Sequence, residues 1–199
     1  RDLVRSRGLG DVYKRQINFL LNRKEKNMEN VIQIQYYQSP CGELILGAYR
    51  EKLCLCDWKI EERRIIIDRR IQKELQASYK EGISEVITRT IGQLDEYFAG
   101  RRTTFDIPLL LVGTDFQKTV WNELLNIPYG KTISYAGLSQ KLGNPKAIRA
   151  IASANGANPI SILVPCHRVI GSDRKLVGYG GGLPAKKILL DLESSDRLF

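Results

Sequence analysis

A chain of 199 residues with 43% hydrophobic content can bury a core of its own, and its length suits one or two compact domains. No apolar run approaches the roughly 20 residues that cross a bilayer, and the stretch at 17–21 is too short and too polar in its setting for a secretory signal, so a cytoplasmic protein is expected. The net charge of +9 is uneven: eight basic and three acidic side chains in residues 1–27 (+5), twelve and fourteen in 28–115 (−2), eleven and five in 116–199 (+6). Only the last segment joins a positive excess to a folded pattern, which makes it the expected nucleic-acid face.

Residues 1–27 show neither a sustained helical nor a strand period, and the only methionine is Met28. They are read as a non-native or disordered extension and left out of the fold. Residues 28–113 then form a first domain. Its segments 31–37, 43–49 and 53–58 are apolar and aromatic, with turn residues between them, and predict an antiparallel meander of three strands. Of the four cysteines, Cys41, Cys54, Cys56 and Cys166, none is expected to pair in a chain of this kind. Cys54-Leu55-Cys56 lacks zinc-ligand spacing and a nearby histidine, so both thiols are expected on one face of a strand as packing, with no metal. Residues 59–80 are charged and give no clear period. Ile83, Val86, Ile87, Ile91, Leu94 and Phe98 recur at helical spacing up to Gly100, predicting an amphipathic helix that covers the sheet.

The second domain, residues 114–199, follows a connector at 104–113. Thr114 and Gln117 have capping-box spacing, and Phe116, Val120, Trp121, Leu124 and Leu125 form the expected buried stripe of a helix that Pro128 and Gly130 end. Ser134 can cap a helix carrying Tyr135, Leu138 and Leu142, which stops at Gly143. Asn144 can cap the next, with Pro145 in its first turn. Two short helices joined through a glycine read as a helix-turn-helix with 145–155 as the recognition helix. Lys146, Arg149 and Ser153 would share its polar face, Ile148, Ile151 and Ala152 its core face. After Asn158-Pro159 the apolar run 160–164 reads as a strand that ends at Pro165-Cys166-His167-Arg168. Gly171 to Arg174 makes a turn or wing, 178–182 is glycine-rich without the lysine of a nucleotide-binding loop, and Pro184 opens a last helix with Ile188, Leu189 and Leu192 in the core and Glu193 near its end.

A nucleophilic cysteine acts as the thiolate and needs a base or a positive partner beside it. Cys166 has His167, the chain's only histidine, as its neighbour. Adjacent residues on a strand face opposite ways, so the pair meets only if the chain bends or a water bridges it; Pro165 supplies a reason for a bend. The sequence Pro-Cys-His-Arg-Val at 165–169, preceded by Asn158-Pro159 and followed by Gly178-Tyr179-Gly180-Gly181-Gly182, resembles the active site of the O6-alkylguanine-DNA alkyltransferases, or methylated-DNA-protein-cysteine methyltransferases, over about 116–193.

The resemblance implies an α+β fold: a small N-terminal antiparallel sheet with a helix, an α/β roll of ribonuclease H-like kind, plus a C-terminal helix-turn-helix, winged-helix-like domain carrying the active-site cysteine. It implies a suicide DNA-repair protein, one molecule per lesion, that takes a methyl or small alkyl group from O6-alkylguanine, with O4-alkylthymine as a second candidate substrate, after rotating the base out of the duplex. Cys166 would attack the alkyl carbon, His167 would relay its proton through a water, and Glu193 would orient that histidine and favour its charged form, lowering the thiol pKa. Tyr135 would donate to the departing guanine and Asn158 would brace the turn before the active segment. Arg149 would enter the vacated stack from the minor groove. Amides near Ala136 and Asn144, and the Ser172 turn, would hold phosphates. Val164, Pro165, Tyr179 and Gly180 would line the substrate pocket; relatives often carry serine or alanine where this chain has Gly180, which leaves the accepted alkyl size open. The implied partner is double-stranded DNA, the implied state a monomer, and no cofactor is required.

Three other readings stay open from the residues alone. One is an alkylated-base binder that does not react, against which Cys166 argues. A helix-turn-helix regulator with a redox-sensitive cysteine would need sequence readout, and the 145–155 helix offers mainly one arginine and small residues. A cysteine hydrolase would leave the basic, helix-turn-helix half unexplained.

Overall fold

The computed structural model describes residues 30–194, so the reading of residues 1–27 lies outside the described residues. Strands β1 (Val31–Ser39), β2 (Gly42–Tyr49) and β3 (Lys52–Trp58) form the expected antiparallel meander, and β4 (Ser78–Glu81) joins it in parallel beside β1, giving the order β3-β2-β1-β4. The crossover into β4 is α1 (Glu61–Leu75), which occupies the stretch where no clear period was visible. Its buried positions, Arg64, Ile67 and Ile71, include an arginine, so the apolar period is broken where an ion pair takes over: Arg64 Nη1 sits 3.3 Å from an Asp57 carboxylate oxygen, and Arg64 also pairs with Asp68.

In the β2–β3 ladder Gly47 pairs with Leu55 and Ala48 with Leu53, so Cys54 is an extra residue in a β-bulge. A bulge breaks the strict alternation of faces along a strand. Cys54 therefore packs with Ile32, Ile34, Ile67 and Ile71, while Cys56 packs with Leu44, Leu46 and Trp58 on the other side. The two thiols do not share a face as strand alternation predicted.

Helix α2 (Glu85–Phe98) covers the sheet with Val86, Ile87, Leu94 and Tyr97 buried. Ile83 lies ahead of it and is 83% exposed. Helix α3 (Asp115–Leu125) carries the predicted capping box in full: Gln117 N donates to the Thr114 hydroxyl and Thr114 N to the Gln117 side chain. Val120, Trp121 and Leu124 are core, but Phe116 and Leu125, at the edges of the stripe, are exposed.

Short β5 (Ile133–Ser134) leads into α4 (Tyr135–Lys141), capped by Ser134, whose hydroxyl accepts from Gly137 N at 3.0 Å. The turn contains Gly143 at φ +69°, in the left-handed region that favours glycine. Helix α5 (Ile148–Gly156) begins three residues later than predicted. Asn144 does not cap it. Pro145 and Lys146 form a separate turn closed by Ala147 N donating to Asn144 O, and Ala147 is the uncapped start. Strand β6 (Val169–Ile170) pairs in parallel with β5, and α6 (Gly182–Glu193) closes the fold. Leu189 and Leu192 are core, whereas Ile188 is exposed.

One apolar core runs from Leu44 and Trp58 on the sheet through Trp121 and Ile151 to Leu189. The free edge of β3 is covered rather than left open: Leu53 exchanges backbone bonds with Pro108 and Leu110, and Cys56 with Pro159 and Ser161. The segment leading to Cys166 is thereby pinned against the sheet. No helix among the described residues is long and apolar enough to cross a membrane.

Candidate active site

The apolar run 160–164 does not form a strand. It is buried and folded into consecutive turns, with Ile162 at φ +72°, a strained setting for a β-branched residue. Its backbone is paired within the turns, Leu163 N to Ser161 O and Val164 N to Ile160 O, and to Cys56 O through Ser161 N, and Asn158 supplies further partners. Fully buried, its amide donates to Val164 O at 2.9 Å and Ile160 O at 3.4 Å, and its Oδ1 accepts from Ile160 N at 3.0 Å. The apolar pattern of a buried strand and of a buried turn is the same.

Pro165 then starts a single 3₁₀ turn, Cys166–Arg168. This is the bend that lets neighbouring residues share one environment. His167 is completely buried, with Nε2 2.9 Å from Glu193 Oε1. Arg168 grips the same carboxylate with two bonds, Nε to Oε2 at 2.8 Å and Nη2 to Oε1 at 2.9 Å, and its Nη1 donates to Ile127 O at 2.6 Å. Tyr97 from α2 donates to Glu193 Oε1 at 2.8 Å and Gly130 N to Oε2 at 3.3 Å. Sequence reasoning assigned no role to Arg168 or Tyr97. Arg168 stood inside the motif and was a visible candidate; Tyr97 is 96 residues from its partner and gave no signal.

Burial opposes the Glu193 charge, yet hydrogen bonds from His167 and Arg168 outweigh it and hold the carboxyl at about 2. For His167 the balance goes the other way: burial dominates over the Glu193 contact, and the nearby Arg168 charge adds to it, so the imidazole pKa is lowered. Burial thus works against the charged imidazole expected from the sequence. With Glu193 ionised, the neutral ring donates from Nε2, leaving Nδ1, which has no hydrogen-bond partner among the described residues, as the proton-accepting nitrogen. The Cys166 thiol is pushed up by burial, offset in part by a hydrogen bond with Asn158 and by the charges of Arg63 and Lys186. Both shifts run against the lowered thiol and the charged imidazole expected from the sequence and favour a neutral pair.

A cavity of 490 Å³ is lined by Tyr135, Ile148, Arg149, Ala152, Gly156, the 177–180 loop and Arg63. Cys166, 3% exposed, interacts electrostatically with Tyr135, Tyr179 and Arg63 of that lining. Of the predicted pocket residues, Tyr179 and Gly180 line it. Val164 is buried behind, its carbonyl taken by Asn158, and Pro165 faces a different depression with Ile162, Leu163 and Arg168. Ile148 and Ala152, both expected in the core, line the cavity instead, and Ile151 and Ala154 are the core residues of that helix.

Tyr135 receives a bond from Asn155 Nδ2 at 3.2 Å, and the same amide reaches Cys166 O at 3.4 Å. The phenol proton remains available to a base in the cavity. Lys186, wholly buried, donates to the carbonyls of Val169, Val177 and Gly178 and so fixes the loop wall. Arg149 is exposed at the cavity mouth. Ala136 lies in the first turn of α4 and Ser172 in an exposed turn, but the Asn144 amide already donates to Ser139 O and cannot serve a phosphate.

Comparison with known proteins agrees with this geometry. The family model described as "6-O-methylguanine DNA methyltransferase, ribonuclease-like domain" matches residues 32–111, and that described as "6-O-methylguanine DNA methyltransferase, DNA binding domain" matches 115–195. A methylated-DNA--protein-cysteine methyltransferase of Methanosarcina acetivorans is 43% identical over 159 residues, 80% of this chain and 96% of that protein. One of Mycobacterium bovis is 57% identical over 105 residues, 53% of this chain and 64% of that protein. Among solved structures, Mycobacterium tuberculosis OGT in complex with DNA matches with a TM-score of 0.69 and 41% identity, covering 83% of this chain and 93% of that protein. The chain belongs to the methylated-DNA--protein-cysteine methyltransferase family.

Proposed function

We propose that the protein repairs DNA by moving a methyl or small alkyl group from O6-alkylguanine in a duplex to Cys166, once per molecule. The observation that supports this reading is the electrostatic interaction of buried Cys166 with Tyr135, Tyr179 and Arg63, three residues that line a cavity together with Arg149, while its neighbour His167 is held by Glu193. A lesion inside a stacked duplex cannot reach a buried thiol, so the nucleotide must be extruded. Arg149 at the cavity mouth is suited to fill the vacated stack from the minor-groove side, pairing with the orphaned base.

In the reaction, the Cys166 sulfur attacks the alkyl carbon, the sulfur-carbon bond forms and the carbon-O6 bond breaks, and the electron pair passes to the guanine. The thiol proton passes by way of a water to His167 Nδ1, whose tautomer Glu193 fixes through Nε2. Tyr135 donates to the leaving base as its negative charge develops, and Asn158 keeps the thiol in place. The product thioether resists hydrolysis, and no neighbouring group is suited to cleave it. The chain acts as a monomer in the cytoplasm, without a cofactor. O4-alkylthymine, which carries its alkyl group on a comparable oxygen, is a second substrate of the same site.

The test is a titration with duplex carrying a radiolabelled O6-methylguanine in excess. The expected result is a plateau at one methyl per protein and none with Cys166→Ser; continued turnover would contradict the reading.

A further inference from the structure

Among the described residues, Arg63, from the first turn of α1, is the one cavity-lining residue contributed by the N-terminal sheet-and-helix half. A Cβ placed on Gly180 would lie 2.5 Å from its Cζ, 2.7 Å from its Nε and 2.9 Å from its Nη1. The guanidinium therefore occupies the volume that a side chain at position 180 would need.

A long side chain normally yields to such a neighbour, but this one is tied at every nitrogen. Nε lies 3.0 and 2.8 Å from the two Asp57 oxygens, Nη1 donates to Gly156 O at 2.6 Å and Nη2 to Asn158 O at 2.7 Å. Asp57 is itself fully buried and receives the Ser161 hydroxyl at 3.0 Å. Swinging Arg63 aside would take from buried Asp57 its closer arginine partner, leaving Arg64 at 3.3 Å and the Ser161 hydroxyl, and would release the carbonyls at both ends of the turn that leads to the active segment, which is costly.

We propose that Arg63 forms the inner wall of the alkyl pocket, in place of a side chain at Gly180, and limits the size of the alkyl group the site accepts. The N-terminal half then sets specificity in addition to supporting the fold. This rests on the alkyl-transfer reading of the same cavity.

Arg70 provides an internal control. It also crosses from α1, with Nη2 donating to Ala157 O at 2.7 Å and its guanidinium 5.4 Å from the Trp121 ring, but it does not line the cavity.

The experiment measures single-turnover transfer from duplexes carrying O6-methylguanine or O6-benzylguanine. Arg63→Ala should raise the benzyl-to-methyl rate ratio about tenfold, the range expected when a pocket wall is removed, while Arg70→Ala should leave the ratio within about twofold of wild type, the spread of independent sites. Gly180→Ala should slow methyl transfer about tenfold beside Arg63 and under about twofold in the Arg63→Ala background, because contacting residues couple. An unchanged ratio in Arg63→Ala, or equal effects of Gly180→Ala in both backgrounds, would overturn the proposal. If Arg63→Ala does not fold, Arg63→Met takes its place, and an unaffected rate in Gly180→Ala alone is decisive against it. A wild-type protein that takes no methyl group would instead overturn the alkyl-transfer reading.

Discussion

His167 Nε2 and Glu193 Oε1 lie 2.9 Å apart in a site without solvent exposure, and Arg168 holds both oxygens of the same carboxylate. The carboxylate is thus neutralised by the arginine and spends its remaining acceptor capacity on fixing the histidine tautomer. Glu193→Gln keeps the shape but can present its amide nitrogen to the ring, and it leaves Arg168 as a buried charge without a counterion. Transfer should fall at least about tenfold and stability by about 3 kcal/mol. The pair of measurements is the single-turnover rate and the denaturant midpoint; a large stability loss with an unchanged rate would confine Glu193 to a structural role.

Acid should weaken the fold in two steps of the same sign. Glu193 is lowered from 4.5 to about 2, so its contribution is present above its unfolded pKa and lost as pH falls through the folded one, a window of about 4.5 down to 2 worth on the order of 3 kcal/mol. His167 is lowered below 6.5 by burial; the unfolded chain binds its proton first, so stability begins to fall as pH drops past about 6.5. Unfolding free energy measured across this range should decline throughout, and the upper step should vanish in His167→Asn.

The same neutral histidine shapes the rate. With a raised thiol and a lowered imidazole, methyl transfer should hold level near neutrality and drop only below the ordinary histidine range, when Nδ1 takes up a proton. A profile that rises steeply through about pH 6 to 8, as a free thiol ionising would give, would speak against general-base action.

Much of the site was legible in local chemistry. Thr114 with Gln117 and Ser134 carry their capping roles in a few adjacent residues, and the structure places both as expected; the Cys166-His167-Arg168 motif is equally local, but it forms a 3₁₀ turn where a strand end was expected. What was hidden depends on distant partners. Helix α1 was obscured because Arg64 sits where an apolar residue would reveal the period, and its buried carboxylate, Asp57, is on another element. The 160–164 run looked like a strand because burial was legible and backbone pairing was not; that pairing comes from turns within the run, from Cys56 O and from the Asn158 side chain outside it. The Cys54 bulge changes facing without changing composition. Arg63 and Tyr97 reach the site from far upstream, where nothing local marks them.

Tyr135→Phe removes a hydrogen-bond donor from the cavity and keeps the ring. Transfer from duplex should slow about a hundredfold, the usual cost of losing one preorganised donor, with the melting temperature nearly unchanged. A loss under about threefold would assign Tyr135 to packing.

Arg149→Ala should slow transfer from duplex about tenfold or more, while leaving transfer from the free base O6-benzylguanine within about twofold, because only a duplex pays for unstacking and unpairing. Equal losses on both substrates would remove the intercalating role.

That Cys166 itself receives the alkyl group is tested most directly by peptide mapping with mass spectrometry after incubation with an O6-methylguanine duplex. One added methyl is expected, on Cys166, with half-buried Cys41 and the buried Cys54 and Cys56 unmodified. A methyl on any other residue, or an unmodified Cys166 in protein that has emptied the duplex of its lesion, would contradict it.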